Sequence, residues 1–205
     1  AIDGPTADKA SRFMQLCGDG TVQVIDLDAN GEEASRKRSR SFFDIDEDPV
    51  FDLALAKPDG WVLISFAGKV FEVTVDGNDI DVSRPWSLLT EEDAAQGWRV
   101  GGNQPFAYNA ETGLLFTLMH QGGPDTHEDP GMEVWAFDMN TQRRGYRLQL
   151  EVPSLSIAVS QDADPLLYVG TLETPMSVQV RKAGTGRLLR VIPEAGSPGH
   201  HIQAF

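Results

Sequence analysis

One segment of the sequence concentrates side chains that could bind a metal or move a proton. It holds two histidines and three carboxylates, at His120, Asp125, His127, Glu128 and Asp129. Histidine nitrogens and carboxylate oxygens are ligands for zinc or calcium. However, the spacing fits no closed metal motif, and the glycines and proline between His120 and Asp125 are typical of a turn. The sequence therefore favours a surface loop and leaves a metal site as the alternative.

A second segment places an aromatic ring beside a cation. In one interpretation Trp98 and Arg99 lie on a rim that contacts a partner or a channel; in the other the segment is a tight turn, with Trp98 packed between sheets. The candidate contact residues from both segments are Trp98, Arg99, Gly101, Gly102, Asn103, Gln104, His120, Asp125 and His127.

Motifs for catalysis are missing from the sequence. It contains no G-x-S-x-G elbow, no glycine-rich phosphate loop, and no Cys–His pair with an evident orienting acid. The residues alone therefore predict a non-catalytic segment with no catalytic, cofactor-binding or metal residue of its own.

The single cysteine, Cys17, excludes an internal disulfide and a cysteine-based zinc or iron–sulfur site. Two interpretations remain for it. It is either a small buried apolar residue within the run from Phe13 to Cys17, or one half of a disulfide whose partner lies outside this chain.

These segments must be positioned by a repeated unit. Apolar, strand-like runs begin at Phe13, Trp61, Leu114 and Leu166 and therefore recur about every 50 residues. A turn and a further strand precede each of the last three runs, and strands rich in β-branched and aromatic residues follow all of them. Four antiparallel strands per repeat is the unit of a β-propeller blade, so the sequence predicts an all-β fold.

The repeats predict a single partial propeller over residues 1–205, with a closed four-bladed ring as the alternative. Its parts are the outer strands of one blade at about 1–40, three blades at about 50–195, and a closing inner strand at about 200–205. The two longest connections, 85–104 and 120–131, belong to one blade and are expected side by side on one face. Long loops on a rigid scaffold are a usual place for binding.

One helix is predicted after Leu89. Thr90 is suited to cap it, Asp93 lies three residues on as the acid of a capping box, and Gly97 ends it. The basic run Arg36–Arg40 is predicted to be a solvated outer strand, whose charges prevent edge pairing.

Composition excludes several classes of function. The 205 residues carry 17 basic and 31 acidic side chains, for a net charge of −14. This charge disfavours nucleic acid and an anionic membrane surface as partners. No apolar run approaches the roughly 20 residues of a transmembrane helix. With 40% hydrophobic residues the chain has enough apolar material for a core.

Several short sequence motifs resemble those of one family, the large subunit of the tryptophylquinone amine dehydrogenases. The aromatic amine dehydrogenase branch is more similar than the methylamine dehydrogenase branch. The matching motifs occur in order along almost the whole chain: Phe13-Met14, Cys17-Gly18-Asp19-Gly20, Asp48-Pro49-Val50-Phe51, Pro85-Trp86-Ser87-Leu88-Leu89, Gly97-Trp98-Arg99-Val100-Gly101-Gly102, Thr126-His127, Glu133-Val134-Trp135 and Val159-Ser160-Gln161-Asp162.

The resemblance implies the C-terminal half of a seven-bladed propeller in a periplasmic enzyme. Two large and two small subunits would oxidise primary, by resemblance aromatic, amines to aldehydes and ammonia. The cofactor, tryptophan tryptophylquinone, would belong to the small subunit, and a blue copper protein of the azurin or amicyanin type would accept the electrons. Cys17 would pair with an upstream cysteine. The alternative from another class is a non-catalytic propeller module for protein interaction or solute binding.

Overall fold

The computed structural model describes residues 12–44, 54–57, 60–65, 67–76, 79–122 and 129–195. The chain divides into two compact units. The first comprises residues 1–65 and 69–85, and the second comprises residues 66–68 and 86–205. Within the described residues, no helix has both the length and the apolar character needed to cross a membrane.

The first unit contains two antiparallel sheets. Strands β1, β2 and β3 form one sheet in that order, and β4, β5, β6 and β7 form the other. Within each sheet, every strand pairs with the next one along the chain, as in consecutive hairpins. Their bounds are β1 Arg12–Leu16, β2 Val22–Leu27, β3 Glu33–Arg38, β4 Ala54–Lys57, β5 Gly60–Ile64, β6 Lys69–Asp76 and β7 Asp79–Val82.

The core of the first unit is built from alternating strand positions. Side chains at every second residue of a strand point to the same face, so two-residue spacing collects them into one cluster. That cluster consists of Val22, Val24, Trp61, Leu63, Phe71 and Val73, all nearly inaccessible to solvent.

The second unit contains one short helix and a larger sheet. The sheet follows the order β10 to β16, with β9 paired to β11 as an additional strand. The elements are β8 Trp86–Ser87, α1 Glu91–Ala95, β9 Trp98–Val100, β10 Phe106–Asn109, β11 Leu114–Gln121, β12 Gly131–Asp138, β13 Arg143–Val159, β14 Leu166–Thr171, β15 Val178–Lys182 and β16 Leu188–Ile192.

Strand β13 joins two groups of four strands. Its first part pairs with β12 and its last part pairs with β14, with a register shift between Ser154 and Ser156. Leu150, near the end of the first part, and Ile157 and Val159, in the last part, belong to one buried cluster. The same cluster includes Phe116 and Leu167 from β11 and β14, so the two groups share a core.

The prediction of an all-β fold with four-stranded units is confirmed. The helix is confirmed as well: Thr90 is the N-cap, the reciprocal capping box with Asp93 is present, and Gly97 follows with a φ of 78°. The predicted closing strand Ile202–Phe205 lies outside the described residues.

Candidate functional site

The two long connections of the second unit lie side by side, as the sequence predicts. Strand β9 is hydrogen-bonded to the end of β11, so that Trp98 is opposite Gln121 and Arg99 is opposite His120. The amide of Gly122 donates to the carbonyl of Gly97 at 3.2 Å and extends this contact. Backbone pairing therefore fixes the 85–104 connection to the start of the 120–131 connection.

An ion cluster links the same two segments. Nη2 of Arg99 donates to Oδ2 of Asp129 at 2.6 Å, and Nε2 of His120 lies 3.6 Å from the same oxygen. Nδ1 of His120 is 3.2 Å from the carbonyl oxygen of Pro130. The Arg99 side chain is 10% exposed, whereas that of Asp129 is 38% exposed. The buried cation is thus compensated by a carboxylate that solvent still reaches.

Trp98 packs inside the second unit. It is 8% exposed and lies against Trp135 with a ring-centroid separation of 5.3 Å. The guanidinium of Arg147 lies over both rings, 4.6 Å from the centroid of Trp98 and 4.5 Å from that of Trp135. Of the two interpretations of this segment, the geometry corresponds to packing for the Trp98 ring.

The two glycines of the candidate set occupy positions that exclude a side chain. A Cβ at Gly101 would lie 2.6 Å from the carbonyl oxygen of Asp129 and 2.8 Å from Cβ of His120. Gly102 adopts a φ of 105°, and a Cβ there would approach the Leu155 carbonyl oxygen to 3.0 Å. Gly101 therefore allows the two connections to touch, and Gly102 allows a close approach to strand β13.

Asn103 and Gln104 attach the connection to strand β13. Both of their amides donate to the carbonyl of Leu155, at 2.8 and 2.9 Å, and Nε2 of Gln104 donates to the carbonyl of Ile157 at 3.1 Å. Asn103 is exposed and Gln104 is half-buried. The surface-reaching residues of this end of the unit, which we call the rim, are Asn103, Gln104, His120, Gln121 and Asp129.

Sequence reasoning missed an ionic network behind the rim. Asp93 of α1 accepts a hydrogen bond from Nη1 of Arg144 at 2.8 Å and lies 3.7 Å from Nη1 of Arg147. Arg147 also makes a two-point contact with Glu133, at 2.8 and 3.1 Å. Glu133 in turn accepts from the indole of Trp135 at 2.6 Å. The sequence contains one sign of this network, the acid Asp93. Because the capping box with Thr90 already accounts for Asp93, the sequence does not indicate that an arginine also binds it.

The acidic groups of this network remain ionised. Burial raises the pKa of Glu133, but the hydrogen bonds from Arg147 and Trp135 outweigh it, so the pKa lies below its ordinary value. Burial likewise opposes ionisation of Asp93, and hydrogen bonds from Thr90 and Arg144 lower its pKa overall. The network is therefore a set of charge-assisted hydrogen bonds at neutral pH.

The metal interpretation of the 120–129 segment gains no support from the part of the chain that the structure describes. No group of three or more His, Cys, Asp or Glu side chains in that part could hold a metal ion. Asp125 and His127 lie outside the described residues, so their place in the segment stays a prediction.

Cys17 is half-buried and is a free thiol in this chain. Its Sγ accepts a hydrogen bond from Nε2 of Gln23 at 3.1 Å. The disulfide that the resemblance implies needs a cysteine from outside the sequence, and it stays a prediction.

Solved structures with a similar fold are β-propellers. The WD40 domain of Neurospora crassa Pan2 matches with a TM-score of 0.51 and 11% identity, covering 90% of this chain and 47% of that domain. The β-propeller domain of Myceliophteria thermophila Cps50 (Swd1) matches with a TM-score of 0.56 and 9% identity, covering 83% and 47%. At these identities the likeness concerns the fold alone, and it confirms the predicted β-propeller class.

Sequence relatives are heavy chains of methylamine dehydrogenase. The Paracoccus versutus protein is 28% identical over 189 residues, which is 90% of this chain and 43% of the relative. The Methylophilus methylotrophus protein is 26% identical over 194 residues, or 94% and 47%. The chain thus spans less than half the length of these relatives.

The family model "Methylamine dehydrogenase heavy chain (MADH)" matches residues 4–203. This match does not single out the aromatic amine dehydrogenase branch, so the resemblance is confirmed at the level of the amine dehydrogenase large subunit. Because the match runs over nearly the whole sequence, the chain belongs to the methylamine dehydrogenase heavy chain family.

Proposed function

We propose that this chain is scaffold from the large subunit of a quinoprotein amine dehydrogenase that oxidises primary amines to aldehydes and ammonia. The observation that carries the proposal is the family match over residues 4–203. The role given to the chain is to hold a surface in place, because its described charged groups of the rim and network are engaged in ion pairs within the fold.

The proposal extends to the rest of the complex. The chain is part of a seven-bladed propeller, and two large subunits assemble with two small subunits in the periplasm. Tryptophan tryptophylquinone resides in the small subunit and supplies the redox chemistry of amine oxidation. A blue copper protein of the azurin or amicyanin type takes up the electrons. The assembly, the cofactor and the electron acceptor are supported by family membership and by the sequence motifs that match the family in order along the chain.

For the substrate we propose an aromatic primary amine. Support comes from the sequence motifs Pro85–Leu89 and Gly97–Gly102, which resemble those of the aromatic amine dehydrogenase branch. The two relatives described above carry the name of methylamine dehydrogenase heavy chain. A comparison of kcat/KM for phenethylamine and methylamine on the purified complex tests this point, and a preference for methylamine would overturn it.

The rim is the surface that we assign to the small subunit. Asn103 and Gln121 are exposed, and their backbones are held by hydrogen bonds to β13 and β9, so a partner would meet a preorganised surface. Met132, one residue beyond Gly131 at the same end of β12, is 41% exposed. Methionine is enriched in protein interfaces.

The first experiment is native mass spectrometry combined with visible absorption spectroscopy on the large subunit purified from its own source. We expect a bound smaller chain and a quinone absorption that added amine bleaches. A colourless protein without a second chain would overturn the amine dehydrogenase assignment and favour the interaction or solute-binding module.

A second experiment tests the rim. The double substitution Asn103→Asp with Gln121→Glu places two new charges on it and should weaken subunit affinity by about tenfold or more, since each charge must be desolvated in the interface. The matched control is Asn140→Asp with Gln142→Glu, at the exposed turn between β12 and β13. Equal affinity for the two double variants would rule out the rim as the contact surface.

A further inference from the structure

A crevice in the first unit has no role in the proposed function. It lies between the segment that follows β3 and strand β7, and its volume is about 390 Å³. Small-molecule sites occupy about 300–1,000 Å³, so the crevice is large enough for a compact ligand. Its walls are formed by Ser39, Arg40, Ser41, Phe42, Ile80, Asp81 and Val82.

Two opposite charges line this crevice without a partner among the described residues. Arg40 and Asp81 make no ion pair with each other or with another described side chain, although they border the same space. The neighbouring cations on β3 differ in this respect. Arg36, Lys37 and Arg38 each lie within ion-pair distance of a carboxylate of the first unit. Arg40 is therefore the cation of the basic run whose charge is left for a ligand.

The other polar groups of the wall are used within the fold. Oγ of Ser39 accepts from the amide of Val22 at 2.9 Å and donates to the carbonyl of Arg40 at 2.7 Å. Oγ of Ser41 donates to the carbonyl of Asp19 at 3.1 Å. Both hydroxyls are thus hydrogen-bonded within the fold. The groups of the wall that remain for binding a polar ligand are the guanidinium of Arg40 and the carboxylate of Asp81.

The remaining wall is apolar. Phe42, Ile80 and Val82 are half-buried and pack against the core of the first unit. Because this core fixes them, they provide a preformed surface for a hydrocarbon group rather than side chains that must be ordered on binding.

We propose that the crevice binds a small zwitterion with an apolar body, of the amino-acid class. Its carboxylate would bind the guanidinium of Arg40, a group whose fork of donors matches carboxylate oxygens. Its ammonium would bind the carboxylate of Asp81, and its hydrocarbon part would lie on Phe42 and Val82. A ligand with one charge would satisfy one of these groups and leave the other without a partner.

The experiment is isothermal titration calorimetry of the purified large subunit, without small subunit, with three related probes at neutral pH and low salt. L-phenylalanine carries both charges, phenethylamine carries only the ammonium, and hydrocinnamate carries only the carboxylate. Because L-phenylalanine makes one more charge-assisted hydrogen bond than either other probe, it should bind about tenfold or more tightly than each of them. Equal binding of the three probes, or no binding of L-phenylalanine at millimolar concentration, would overturn the proposal.

Variants assign the two charges. Arg40→Gln should abolish the advantage of L-phenylalanine over phenethylamine, and Asp81→Asn should abolish its advantage over hydrocinnamate. The matched controls are Arg84→Gln and Asp79→Asn, which change the same net charge at exposed positions of the same unit outside the crevice wall. If the control variants lose as much affinity as the wall variants, the effect is one of general charge and the site is refuted. The outcome does not depend on the proposed amine oxidation, because no small subunit is present.

Discussion

Replacing Asp93 by asparagine tests how far the candidate site depends on one buried carboxylate. Oδ2 of Asp93 accepts hydrogen bonds from the amide and hydroxyl of Thr90, at 3.0 and 2.8 Å, and from Nη1 of Arg144 at 2.8 Å. Its side chain is 6% exposed. One group therefore caps α1 and also ties the helix to strand β13.

The expected loss follows from these contacts. Asparagine keeps the shape and one acceptor oxygen but removes the charge that compensates Arg144 and Arg147. Losing one partner of a fully buried ion pair costs about 3–5 kcal/mol. Here the two arginine side chains are 28% and 34% exposed, so solvent takes over part of the compensation. We expect a loss of about 2 kcal/mol for Asp93→Asn and about 3 kcal/mol for Asp93→Ala, which also removes the capping interaction.

The pH dependence has a defined sign. Since the pKa of Asp93 is lower in the folded chain than its ordinary value of 3.8, the ionised carboxylate stabilises the fold above that value. The contribution is lost as the pH falls below about 4 through the folded pKa. The Asp93→Asn variant should therefore lose less stability on acidification than the wild type does.

Urea denaturation followed by tryptophan fluorescence measures this effect, because Trp98 and Trp135 lie beside the network. The matched control is Glu91→Gln, an exposed acid in the same first turn of α1, for which we expect at most about 0.5 kcal/mol. If Asp93→Asn costs no more than this control, the carboxylate does not hold the helix to the sheet.

Two further substitutions probe buried polar groups of the second unit. Asn109 is inaccessible to solvent, donates to the carbonyls of Ser160 and Asp162 at 2.6 and 3.0 Å, and accepts from Thr112. Asn109→Ala should lower the free energy of unfolding by about 2–3 kcal/mol, and an unchanged urea midpoint would contradict this. Burial raises the pKa of Tyr146 to about 12, so its neutral form stabilises the fold up to about pH 10 and this contribution is lost as the pH rises further. The free energy of unfolding of Tyr146→Phe should therefore fall less steeply than that of the wild type above about pH 10. An identical pH dependence for both proteins would refute the assignment.

The strands could be predicted because their signals are local. Strand β16, Leu188–Ile192, is an example. It pairs with the neighbouring strand β15 through the turn at Gly184 and Gly186. Turn residues and β-branched runs lie within a few positions of each other in such hairpins, so the sequence contains the information that is needed.

The environment of Arg99 could not be predicted in this way. Its partner Asp129 is 30 residues further along the chain, and the register that brings them together is set by the pairing of β9 with β11. A cation in a short segment looks the same in the sequence whether it faces solvent or a carboxylate. The sequence therefore places Arg99 in the correct end of the blade and leaves its burial undetermined.

For the same reason, the sequence predicts only one of the two roles of Asp93. Its spacing from Thr90 predicts the capping box, which is a contact across three residues. Its ion pair with Arg144 spans 51 residues and depends on where α1 lies against strand β13. In that arrangement the guanidinium of Arg147 contacts both Trp98 of β9 and Trp135 of β12. Because β9 carries Trp98 and also pairs with the end of β11, substitutions at buried Trp98 or Asp93 should alter the rim through the fold.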